Sequence, residues 1–89
     1  MTQDTVREQL IWLQRLFAEK MHMEVEASDR PVELGLDSVS AVLVGSEIRR
    51  RYDVPLRVSW EWLMTLTTQE IATQLAAADR RHGAHEANS

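Results

Sequence analysis

The chain has 89 residues, 44% of them hydrophobic, a formal net charge of −4 and no cysteine. That length allows one small domain, and the lack of cysteine excludes a disulfide framework, a thiolate nucleophile and a thiolate ligand, so any reactive thiol must be added. The acidic balance argues against nucleic-acid binding, and no apolar run approaches the ~20 residues needed to span a bilayer.

The N-terminus, MTQDTVREQL, lacks the basic and apolar regions of a secretion signal, so a soluble cytoplasmic protein with no membrane partner is expected. Thr5-Val6-Arg7-Glu8 reads as a capping box. Val6, Leu10, Leu13 and Phe17 then recur at helical spacing, with Ile11, Leu16 and Met21 widening the stripe, which predicts a first helix over 5–21. Its polar face carries Arg7, Gln14 and Lys20, and Met21 and Met23 read as flexible core filler.

From His22 to Asp37 neither a helical nor an alternating period survives, and Pro31 resists helix at its own position and at Arg30. This is a long connection, with Val32, Leu34 and Leu36 as the expected anchors. It ends in Leu34-Gly35-Leu36-Asp37-Ser38-Val39. Gly35 supplies a backbone that turns with positive φ, Asp37 is a strong N-cap, and Ser38 falls on the first helical position. A hydroxyl there faces solvent at a fixed corner. The unpaired N–H groups and positive dipole end of a helix start would welcome a phosphate attached to it.

A second helix is predicted over 38–52. At ~100° per residue, Ala41, Val44, Gly45, Ile48 and Tyr52 gather on a core face, while Val39, Val42 and Leu43 gather opposite with Ser46 and Arg50. A domain this small cannot cover both faces, so the second stripe is expected to be at least partly exposed. Val39, Val42, Leu43 and Ser46, rimmed by Arg49 and Arg50, are the candidate docking surface for a partner. Acidic residues Glu24, Glu26, Asp29, Glu33 and Asp37 precede or open this helix, and Arg49, Arg50 and Arg51 close it. Dipole complementarity explains part of that pattern.

Asp53-Val54-Pro55-Leu56 ends the helix, with Val54 and Leu56 as core contacts, and Ser59 reads as the cap of a short third helix over 60–64. Trp60 and Trp62 are two apart, so one is expected in the core and the other at the rim of a cleft. Thr67-Thr68-Gln69-Glu70 is a second capping box, followed by Ile71, Leu75 and Ala78 on one face with Ala72 and Ala76 beside them, to a helix end near Ala78. Residues 79–89 have little to bury and are expected to be a disordered tail, leaving 1–78 as the domain.

Catalytic alternatives fail on their own chemistry. No G-x-S-x-G elbow surrounds Ser38, nothing places His22 beside it as a base, and His82 and His85 lack further clustered ligands, so neither a serine hydrolase nor a metal site is expected. Neither a P-loop nor a G-x-G-x-x-G element is present. The protein is not expected to be an enzyme. Serine is common near helix starts, so Asp37-Ser38 alone would carry no functional reading.

The stretch from Glu33 to Tyr52, ELGLDSVSAVLVGSEIRRRY, resembles the phosphopantetheine-attachment segment of acyl carrier proteins, in its Leu-Gly-Leu-Asp-Ser form closest to polyketide and fatty-acid carriers. Val58-Ser59-Trp60-Glu61-Trp62-Leu63 and Thr67-Thr68-Gln69-Glu70-Ile71-Ala72 resemble the third and fourth helices of polyketide-synthase carriers. The resemblance implies an all-α four-helix carrier bundle, three longer helices and one short, with a long loop between the first two. It implies 4′-phosphopantetheine from coenzyme A joined to Ser38 beside Asp37 by a phosphopantetheinyl transferase, and intermediates held on the arm as thioesters. Partners would then be acyl-loading enzymes, ketosynthases or other biosynthetic enzymes, met by a freestanding monomer. An aminoacyl or starter-unit carrier, or an unmodified helical adaptor binding through the second helix, remain alternatives. The sequence departs from fatty-acid carriers where Leu43 and the three arginines occupy positions that tend to be acidic in the family.

Overall fold

The computed structural model describes the backbone of residues 2–88 and the side-chain surroundings of 6–79. Among the described residues all regular structure is helical: α1 Thr2–Met21, a 3-10 helix Pro31–Leu34, α2 Ser38–Tyr52, α3 Leu56–Thr65 and α4 Thr68–Asn88. α1 packs mainly on α4, and α2 mainly on α3, with the 3-10 helix leaning on α3.

Leu13 and Phe17 of α1 are fully buried, with Leu16 nearly so. The expected start at Thr5 is corrected: α1 is already helical at Thr2, because Thr2, Gln3 and Asp4 contain neither proline nor glycine to stop it. Thr5 therefore lies inside the helix and not at its cap. Ile11, read as part of the apolar stripe, faces outward, whereas Gln9 is buried. The helix closes with His22 in the left-handed region at φ 53°, and the Met23 N–H donates to the Phe17 carbonyl at 3.2 Å.

The connection 22–37 is held at its middle by the start of α4. The capping box read from the sequence is present: Glu70 N–H donates to Thr67 Oγ1 at 3.1 Å, and Thr67 N–H donates to Glu70 Oε1 at 2.9 Å. The next two N–H groups reach across to the connection, Thr68 to the Asp29 carbonyl at 2.8 Å and Gln69 to the Ala27 carbonyl at 2.9 Å. All four donors that a helix start leaves without an intrahelical partner are thereby satisfied. Fully buried Thr68 adds a second bond from its hydroxyl to Asp29 O at 2.9 Å, and Gln14 Nε2 donates to Val25 O at 3.0 Å.

Anchoring of the connection partly differs from expectation. Leu36 is buried and Val32 half-buried, but Leu34 is exposed, and Val25 and Pro31 take the buried places. Pro31 does not exclude helix here: it opens the 3-10 helix, where a missing N–H costs nothing.

α2 buries Ala41, Val44, Gly45, Ile48 and Tyr52, the five residues assigned to its core face. The short third helix capped by Ser59 is corrected. α3 begins at Leu56, because Pro55 fixes φ at −55° and its carbonyl accepts from the N–H groups of Val58 and Ser59 at 3.0 and 3.1 Å. Ser59 is wholly buried inside the helix, its hydroxyl donating to the Leu56 carbonyl at 3.0 Å. Val54 is buried and Leu56 half-buried. α4 buries Ile71, Ala72, Leu75 and Ala76, then runs past the expected end at Ala78 to Asn88. That extension contains no proline, and its alanines and arginines favour helix.

α2 and α3 approach closely at Gly45, where an added Cβ would lie 2.9 Å from Leu56 Cδ1 and 3.0 Å from Ser59 Oγ. The Leu56 methyl can swing aside, but the Ser59 hydroxyl is held by its own hydrogen bond. Gly45→Ala is expected to fall within about 1 kcal/mol of wild type, since helix propensity gains what the contact loses. Gly45→Val is expected to cost about 1–3 kcal/mol in urea denaturation, as over-packed helix contacts do. An unchanged midpoint for the valine variant would contradict this packing.

Candidate functional site

The corner before α2 is built by three successive residues. Gly35 adopts φ 107°, and its N–H donates to the Val32 carbonyl at 3.3 Å. A Cβ there would meet nothing within 4 Å, so the demand for glycine comes from the backbone angle and not from space. Leu36, 3% exposed, pins the turn to the core. Asp37 then caps α2: its Oδ1 accepts the Ser40 N–H at 2.8 Å and its carbonyl accepts the Ala41 N–H at 2.9 Å. Ser38 follows as the first helical residue and is exposed.

The electrostatics favour an anion at this corner. Asp37 is held below its ordinary carboxylate pKa of 3.8, first by the Ser40 backbone N–H and then by the Ser40 hydroxyl, against a small desolvation effect. Its charge is turned toward Ser40. The Ser38 N–H has no hydrogen-bond partner among the described residues, and it lies at the positive end of a helix of 15 residues. A phosphate ester on Ser38 would thus meet an available donor and a favourable dipole.

Beyond Ser38 the outward face of α2 is apolar. Val39 is 71% exposed, Leu43 54% and Val42 42%. Leu34, on the other side of Gly35 and expected as an anchor of the connection, is also exposed. Ser46 spends its hydroxyl proton on the Val42 carbonyl at 2.8 Å. The three arginines divide. Arg51, though exposed, lies over two rings, 5.2 Å from the Trp12 ring centre and 5.6 Å from that of Tyr52, with Nε donating to the Tyr52 hydroxyl at 3.2 Å. Trp12 and Tyr52 themselves meet edge to face at 5.3 Å. Burial raises the Tyr52 pKa, and Arg51 opposes that shift. Arg49 and Arg50 are exposed as well.

Of the two tryptophans, Trp60 stands at the surface and Trp62 is half-buried against the core. Trp62 lines a cleft of about 350 Å³ with Tyr52, Val54, Pro55 and Val58. This cleft sits at the far end of α2, about 21 Å along the axis from Ser38 at 1.5 Å per residue. Among the described residues no three His, Asp or Glu side chains gather as a metal site, and no helix is long and apolar enough to cross a membrane.

A family model described as phosphopantetheine attachment site matches residues 11–76. The chain belongs to this family. The match spans the second half of α1, the connection, α2, α3 and α4 as far as Ala76. No curated protein sequence and no solved structure matches the chain. Domains of this family carry 4′-phosphopantetheine covalently, are in general non-catalytic, and work with phosphopantetheinyl transferases and biosynthetic enzymes. The bundle is accordingly a phosphopantetheine carrier. When attached, the group supplies a terminal thiol on a flexible arm, which a chain without cysteine otherwise lacks.

Two carboxylates that cap helices make the carrier's stability depend on pH. Asp37 and Glu70 are both shifted down from 3.8 and 4.5, each chiefly by a backbone N–H of its capping turn. A depressed folded-state pKa contributes stability that is fully present above the ordinary value and is lost as pH falls through the depressed one. The thermal midpoint of wild type is therefore expected to drop as pH descends below 4.5, first through Glu70, and further below 3.8 through Asp37. A combined Asp37→Asn, Glu70→Gln variant keeps acceptors in both places and is expected to drop less steeply. Parallel curves would contradict the assignment. Asp37→Ala is expected to speed hydrogen exchange at the Ser40 amide.

Proposed function

We propose that Ser38 is the attachment residue and that the protein is an acyl carrier of polyketide biosynthesis. The observation that carries the assignment is the exposed Ser38 hydroxyl on the first helical position, behind Gly35 and the Asp37 cap and inside the span of the family match. In the transfer, Ser38 Oγ attacks the coenzyme A phosphorus next to pantetheine. The pyrophosphate P–O bond breaks, adenosine 3′,5′-bisphosphate departs and the serine proton leaves to the transferase's base. A phosphodiester remains. Asp37 does not take part as a base in this reading; it fixes where α2 begins and so where the hydroxyl stands.

Thioester cargo on a tethered thiol reaches successive enzymes at high effective concentration, which is the physical advantage of a carrier. Val39, Val42, Leu43 and Ser46, with Arg49 and Arg50 at the far rim, form the face those enzymes would meet. The polyketide assignment is supported by the Leu34-Gly35-Leu36-Asp37-Ser38 form of the motif and by the downstream segments around Trp60 and Thr67. Acyl-loading enzymes and ketosynthases are the partners this reading names.

Incubation with coenzyme A and a broad-specificity phosphopantetheinyl transferase is expected to add the mass of one phosphopantetheine to the wild type and nothing to Ser38→Ala. An unmodified wild type, or a modified Ser38→Ala protein of unchanged fold by circular dichroism, would refute the attachment assignment.

A further inference from the structure

The exposed strip of α2 has an order along its length as well as around its girth. At ~100° per residue, Ser38, Arg49, Val42, Val39, Arg50 and Leu43 fall within an arc of about 140°. None of them is acidic. The hydroxyl comes first, the three exposed apolar side chains follow, and the guanidinium groups begin about 17 Å further along the axis. The one carboxylate on the helix, Glu47, lies about 40° beyond the arc, with its side chain 28% exposed, 3.5 Å from an Arg50 whose own side chain is 78% exposed. A surface pair of that kind leaves most of the guanidinium's donors available. Arg49 makes no ion pair among the described residues. A chain with a net charge of −4 therefore presents two exposed guanidinium groups on the face that leads away from Ser38, with Glu47 beside Arg50 and Asp53 sharing a surface cleft with Arg49.

Cations in the last turn complement the helix dipole, and that accounts for charge at this end. It does not account for Val39, Val42 and Leu43 remaining exposed on the same arc. Apolar side chains rimmed by charge are the anatomy of a contact surface.

We infer that this strip docks on enzymes whose surface places carboxylates about 17 Å from the opening that receives the arm, with an apolar patch between the two. The inference rests on the reading of Ser38 as the attachment point. Arginine forks pair with carboxylates in a bidentate geometry that fixes register, so the acidic groups set the carrier's orientation along α2. Enzymes with a basic docking patch bring like charge against Arg49 and Arg50 and are discriminated against.

The test uses wild type, Arg49→Glu/Arg50→Glu and Arg49→Gln/Arg50→Gln, each loaded from a coenzyme A analogue whose thiol is replaced by a chloroacyl amide. Intact mass first establishes full loading. The probes are two ketosynthases, one with acidic and one with basic residues around its arm entrance. The ketosynthase cysteine thiolate displaces chloride and forms a C–S bond, so the rate of crosslinked product reports docking. Loaded wild type is expected to crosslink at least about ten-fold faster to the acidic-patch enzyme, with the gap narrowing as salt is raised. The glutamate variant is expected to reverse that order and the glutamine variant to abolish the preference. Equal rates for loaded wild type, or a preference unchanged in both variants, would overturn the docking inference and leave the attachment reading standing. A wild type that does not load would overturn the attachment reading, and this inference with it.

Discussion

One hydrogen bond decides where α2 begins: the Asp37 carboxylate on the Ser40 N–H, 2.8 Å long. It ends the irregular connection and starts α2 at Ser38. If the helix began a residue earlier or later, Ser38 would no longer be its first residue, at the end where the N–H groups lack intrahelical partners. The same bond holds the Asp37 carboxylate on the Ser40 N–H and lowers its pKa. Position and electrostatics are set by the same contact.

The connection leading to that cap is fixed at its middle and at its end. Leu36 is buried immediately before Asp37, and the turn around Asp29 is tied to the N-terminus of α4. The start of α4 needs acceptors for its free N–H groups, and the carbonyls of Ala27 and Asp29 need donors, so the two segments satisfy each other. α4 in turn packs on α1 and closes the core. The site is therefore positioned by the whole bundle, although it consists of three residues. Gly45 completes the frame by letting α3 approach α2 on the face opposite the exposed strip.

The sequence made the two faces of α2 legible because fifteen residues of steady 3.6 periodicity leave little choice once one face must be buried. The Thr67–Glu70 capping box was legible for a similar reason, since both partners lie three residues apart. Helix starts elsewhere were not. Thr5 and Ser59 are good capping residue types, but Thr2–Asp4 continue α1 backward and Pro55 starts α3 first, leaving Ser59 to bury its hydroxyl against Leu56 O. Burial in the connection was illegible because it has no period: Leu34 and Val25 are both plain hydrophobic residues, and only the tertiary path exposes one and buries the other. The bond from Thr68 to Asp29 joins residues 39 apart, a separation that no local pattern announces. The exposed corner at Ser38 was readable because glycine, cap and serine act through neighbouring backbone alone.

The attachment claim is tested most directly by locating the added group within the purified, modified protein. Trypsin cuts after Lys20 and Arg49 and spares Arg30 before Pro31, so one peptide, residues 21–49, contains Ser28, Ser38, Ser40 and Ser46 together. Fragmentation of that peptide is predicted to place phosphopantetheine on Ser38, with Ser28, Ser40 and Ser46 unmodified. Fragments that carry the group on any of those three serines would contradict the account.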